Sequence, residues 1–129
     1  MDSILVSIKK LLGMDADYTA FDTDIIIHIN TVLMTLRQIG VGPKEGFSIR
    51  GKDEVWSDFV PNVNDLESIK TYVYLKVKAV FDPPLSAAVK ESMEKQAAEL
   101  EWRIYVEVES IKKEEEKIQN GICCYKKCQ

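Results

Sequence analysis

Residues 65–100 read DLESIKTYVYLKVKAVFDPPLSAAVKESMEKQAAEL, and this stretch decides the fold. It divides at Asp82-Pro83-Pro84. Before the prolines, Leu66, Ile69, Val73, Val77 and Val80 recur at helical spacing. Tyr72, Leu75 and Ala79 widen that stripe, which predicts a helix buried on two sides. The β-branched valines are weak helix formers, but the 3.6-residue period outweighs them. Lys70, Lys78, Tyr74 and Phe81 fall on the other side. Asn64 or Asp65 suits the N-cap, and Asn64 with Glu67 has the spacing of a capping box.

The corner is stiff because proline has no N–H and drives the residue before it out of the α region. Pro84 suits the first position of the next helix, with Ser86 as an alternative cap. In the second arm, Leu85, Val89, Met93, Ala97, Leu100 and Ile104 form one narrow stripe. Glu91–Lys95 and Glu99–Arg103 support it in the favourable order. The stripe continues through Val108 and Ile111, but Glu107 falls inside it, which predicts a break or fraying near residues 105–108. Residues 103–109 also alternate in polarity, so a short strand is the competing reading there.

Upstream, the pattern predicts a first helix from about Asp2 to Leu12. Asp2 or Ser3 caps it, its apolar face is Ile4, Leu5, Ile8, Leu11 and Leu12, and Gly13 suits the end. A polar connection follows, in which Tyr18 and Phe21 are expected to anchor the chain. A second helix is predicted from Asp22 or Thr23 to Ile39, stopped by Gly40. Ile25, Ile29, Val32, Leu33, Leu36 and Ile39 share its apolar face. Residues 40–63 are irregular, with turn signals at Gly40-Val41-Gly42-Pro43 and Lys44-Glu45-Gly46. Phe47-Ser48-Ile49 suits a short strand, and Val55–Phe59 a helical turn or aromatic anchor. A loop this long is either functional or folded onto the core.

The chain is thus expected to be all-α: a small bundle of about four helices. A long, partly ordered loop joins the second helix to the third, and the C-terminal helix is extended. Residues 1–108 form the helical domain. Residues 109–129 form a charged, cysteine-containing extension that is expected to be flexible, given the mixed run Lys112–Lys117.

Composition narrows the function. The 129 residues suffice for one modest core. The net charge of −4 argues against a nucleic-acid surface. No 18-residue apolar run suggests a membrane span, and Met1–Leu5 lacks a signal-peptide layout. Cys123, Cys124 and Cys128 all lie in the last seven residues. A zinc site there lacks a fourth ligand, since the single histidine, His28, is far away in sequence. No nucleophile or carboxylate is placed beside His28 by spacing, so a packing role outweighs a catalytic one. Asp15, Asp17, Asp22 and Asp24 read as loop and capping residues. Gly40 and Gly42 follow no strand and make no nucleotide fingerprint. No cofactor, metal or catalytic residue is therefore assigned.

Candidate contact residues are those off the core faces. Ile27 and Met34 are seven apart on the polar side of the second helix. Trp102 and Tyr105 lie off the stripe of the last helix. Trp56 and Phe59 suit either the core or a neighbour, since aromatic anchors dominate interfaces.

The order of elements resembles that of the head–tail connector (adaptor) proteins of long-tailed bacteriophages and prophages. The residues that carry the likeness are Asp22-Thr23-Asp24-Ile25-Ile26 with Ile29-Asn30, Leu36 through Gly42, Tyr72 to Leu75, and Val80-Phe81-Asp82-Pro83-Pro84. It covers roughly residues 2–108, and none of these motifs is catalytic. The resemblance implies a virion structural protein with no enzyme activity, sited at the neck and assembled in the bacterial host cytoplasm. It implies a homo-oligomeric ring, commonly of about twelve copies, with unlike patches meeting head to tail. The implied partners are the portal protein and a stopper or tail-completion protein, with DNA only as passing cargo. The alternative is a small helical binding module or regulator acting as a monomer or dimer, and a third reading, an enzyme, ranks last.

Overall fold

The computed structural model describes residues 3–60 and 66–128, with side chains through Glu114. The caps expected at Asp2, Asn64 and Asp65 and the side chains of the three cysteines lie outside these residues. Five helices follow in order: α1 (Ile4–Leu11), α2 (Asp22–Ile39), α3 (Trp56–Phe59), α4 (Leu66–Phe81) and α5 (Ala87–Cys128). The fold is all-α, as the periodicity predicts. Among the described residues the only β pairing is an isolated antiparallel bridge between Ser3 and Val55. The strand readings at 47–49 and 103–109 are therefore not realised.

Helix α4 is the hub. It packs against α5 on one side and α2 on another, and α1 touches both α2 and α4. Ile69, Tyr72, Val73, Leu75 and Val77 are buried on it. Its last turn departs from expectation: Val80 is exposed, while Phe81 turns in and meets Phe21 edge-on at 5.6 Å. Tyr72 is fully buried and its hydroxyl has no hydrogen-bond partner among the described residues. Burial, with the Glu101 carboxylate adding to it, pushes its phenol up to about 12. Tyr72→Phe removes a polar atom without changing the shape of the core, so it should raise stability by about 1 kcal/mol. It should also blunt the stability loss that sets in above pH ~10, the ordinary tyrosine pKa, as a raised native pKa requires. Urea unfolding of both proteins across that range checks this.

Helix α1 is capped by Ser3, whose Oγ accepts the Val6 N–H at 3.3 Å. Its buried face is Ile4, Leu5, Ile8 and Lys9, while Leu11, expected inside, is half exposed. Helix α2 ends at Ile39 as read. Gly40 takes a left-handed φ of 113°, where a Cβ would meet Val108 Cγ1 of α5 at 2.8 Å. Small size and backbone freedom are both needed there.

The corner after α4 keeps Pro83 exposed. Ser86, not Pro84, caps α5: its carbonyl accepts the Lys90 N–H at 3.0 Å and its Oγ the Val89 N–H at 3.4 Å. Leu85 is fully exposed and Val89 half exposed, so the docked stripe starts only at Met93. Ala97 and Ile104 are buried on it, with Leu100 and Val108 partly so. The break expected near 105–108 is absent, and α5 is continuous from Ala87 to Cys128. The reason is rotational: Ile104 and Val108 are four apart and stack on the core side, which sets Glu107 at the border, half-buried.

The long loop folds onto the core. Val41, Ile49, Trp56, Phe59 and Val60 are buried. Asn30 on α2 holds Ile49 as a strand neighbour would, accepting its N–H at 2.7 Å and donating to its carbonyl at 3.0 Å. Glu54 closes the next turn by accepting the N–H groups of Arg50 and Gly51. Burial pulls its carboxyl upward, but these N–H groups, its own and the Arg50 charge outweigh that and hold it below the usual range.

Candidate interaction surfaces

The sequence-predicted contact residues separate into two kinds. Trp56 and Phe59 are fully buried. The Trp56 indole N–H donates to Ser7 Oγ at 3.2 Å, and the Phe59 ring lies 5.4 Å from that of Phe47. Both serve as anchors of the loop rather than as surface for a neighbour, because α3 turns them toward α1 and the loop's own start.

Ile27, Met34, Trp102 and Tyr105 are exposed. On α2, Ile27 and Met34 stand two turns apart with Thr31 and Thr35 near the same line. The Thr31 hydroxyl donates to the Ile27 carbonyl at 2.9 Å and that of Thr35 to the Thr31 carbonyl at 3.3 Å. Each threonine thus spends its donor on its own helix, and the strip between the two apolar residues asks little of a partner in hydrogen bonding.

On α5, Trp102 is 64% and Tyr105 44% exposed, with Val106 beside them. The two rings stack at 6.0 Å with 27° between their planes. Glu99 and Arg103 pair at 2.7 Å on the same stretch of helix. The rings are ordered by each other and the helix by its ion pair, so little freedom remains to be lost on contact. Asp82, Pro83 and Pro84 sit at the junction of α4 and α5 and set where the α5 surface begins.

Two features were not read from the sequence. Lys9 is 1% exposed; its ammonium donates to the Ala16 carbonyl at 3.1 Å and the Tyr18 carbonyl at 2.6 Å and pairs with Asp22 Oδ1 at 2.7 Å. It anchors the connection between α1 and α2 from the buried side, while Tyr18 and Phe21 stay about half exposed, with Phe21 against Phe81. The available signal was its position: Lys9 follows Leu5 by four and precedes Leu12 by three, on the apolar face. The second feature is a row of touching rings formed by Tyr18, Phe21, Phe81 and His28.

Among the described residues no group of three or more His, Cys, Asp or Glu side chains could hold a metal ion. No described helix is long and apolar enough to cross a membrane. What the surface offers is apolar and aromatic contact on two helices.

Comparison with curated proteins and with solved structures yields no match. A model of the phage connector protein family matches residues 4–111. That span takes in α1 through α4 and the docked part of α5. The chain therefore belongs to the phage connector protein family, as a structural component of bacteriophage.

Proposed function

We propose that the protein is a head–tail adaptor that forms a ring below the portal, extends the DNA channel and docks the stopper or tail. The observation that carries this reading is the pair of unlike exposed faces, Ile27/Met34 on α2 and Trp102/Tyr105 on α5. A ring closes when one patch on each subunit meets a different patch on the next. An apolar strip with no free donors and a stacked ring pair are complementary in that sense. Residues 1–108 act as the ring-forming body, and the part of α5 around residues 103–118 is the portal-contacting segment. The net charge of −4 suits a wall along which DNA passes without being gripped. The work is one of contact and shape, with no chemical step.

Trp102→Ala tests the α5 face. It should weaken assembly on the portal by about tenfold or more, as loss of an aromatic anchor does. The stability of the isolated chain should move by less than about 0.5 kcal/mol, the usual range for a surface position. A collapse of the fold with assembly per folded molecule unchanged would place Trp102 in the core instead.

A further inference from the structure

The row of rings uses none of the residues of the two proposed ring faces. Tyr18 and Phe21 precede the body of α2, Phe81 ends α4, and His28 stands two turns along α2 from Phe21. Centroids are 5.9 Å apart for Tyr18–Phe21, 5.6 Å for Phe21–Phe81 and 6.4 Å for His28–Phe81. Tyr18 is 50% and Phe21 43% exposed. Rings from two elements brace one another, so the face is shaped before anything binds, and rigid aromatics give contact area at little entropic cost.

The charge along the segment that carries Tyr18, Phe21 and His28 has one sign. Residues 13–36 include four aspartates and no lysine, arginine or glutamate. Asp22 is paired with the buried Lys9 ammonium. Asp15, Asp17 and Asp24 are exposed and form no ion pair among the described residues. Asp82, next to Phe81, is exposed and pairs with Lys78 at 3.4 Å. Three uncompensated carboxylates beside an open aromatic surface repel another copy of the same face, nucleic acid and any acidic partner. They attract a cation, and the faces of the rings favour one too.

We propose that the Tyr18–Phe21–Phe81 face docks a cationic amphipathic segment of a partner protein. An apolar side chain of that segment rests on the rings, and flanking lysines or arginines pair with Asp15, Asp17 and Asp24.

The probe is a short amphipathic helical peptide of leucine and lysine, with the same peptide carrying glutamate for lysine as its control. Both are titrated into the full chain and followed through backbone amide NMR shifts. The lysine peptide should move the amides of residues 15–24 and 80–82, and its affinity should fall as salt rises. Phe21→Ser should weaken it by about tenfold, as removal of an anchor does. The triple change Asp15→Asn, Asp17→Asn, Asp24→Asn should do so as well without touching the rings, and Trp102→Ala should leave it unchanged. Equal binding of the glutamate peptide overturns the proposal. So do shifts centred on Trp102/Tyr105 or Ile27/Met34, or the absence of binding.

Discussion

Trp56→Ala should cost about 3–5 kcal/mol of folding stability, the range for truncating a large buried aromatic. Trp56 is among the largest fully buried side chains of the chain. Its indole holds Ser7 of α1 through one hydrogen bond, and the Lys70 ammonium of α4 lies 5.9 Å from its ring centroid. The residues just before it are tied to the same place, since the Ile4 N–H donates to the Glu54 carbonyl at 3.0 Å. Truncation therefore opens a cavity at the point where the long loop meets the bundle, and the loop and the start of α1 should loosen together. Urea unfolding measures the cost, and amide exchange in residues 47–60 shows where it falls. A cost under about 1 kcal/mol, the level of an ordinary partly exposed site, would mean that the loop is not part of the core. The contrast with Trp102→Ala is instructive. The same substitution is expected to act on folding at one tryptophan and on assembly at the other.

Lys9→Met should cost about 3 kcal/mol, because breaking one partner of a buried pair leaves the other uncompensated. An ammonium has three donors and no acceptor. Lys9 donates to the Ala16 and Tyr18 carbonyls, and its charge pairs with Asp22 Oδ1. Methionine fills a similar volume but satisfies none of these three acceptors. The connection that carries Tyr18 and sets the first turn of α2 should then lose its position. A double-mutant cycle with Asp22→Asn separates the ion pair from the two carbonyl bonds: a coupling of about 1 kcal/mol or more is expected for directly contacting groups. Full stability in Lys9→Met would show that the loop holds its shape without the lysine.

Both effects mark the limit of what spacing along a chain can tell. Helix α2 was legible from Asp22 to Ile39 because its period is unbroken and a glycine stops it where a left-handed residue is needed. The α4–corner–α5 unit was legible for the same reason, since two prolines fix the turn whatever surrounds them. Burial across the loop was not. Trp56 and Trp102 are the same residue, and contacts from distant parts of the chain decide that Trp56 is interior. Leu85 and Val89 fit the stripe of α5 yet have nothing to pack on, because α4 ends at the corner and the two helices meet only farther along. Glu107 falls inside the stripe by spacing, yet the packing of Ile104 and Val108 leaves it half-buried at the border. Asn30 and Lys9 are polar residues placed to bind backbone many positions away, and periodicity is blind to such partners. The exposure of Ile27, Met34, Trp102 and Tyr105 was legible because position off a core stripe is a local property.

The central claim is that this chain builds a ring on a portal. The most direct test is its mass by multi-angle light scattering, alone and then mixed with the portal of the same phage. A closed ring of many copies, or a complex with the portal at one fixed stoichiometry, is the expected result. A monomer or dimer that stays unbound when the portal is added would contradict it, and would leave a small helical binding module as the reading of this fold.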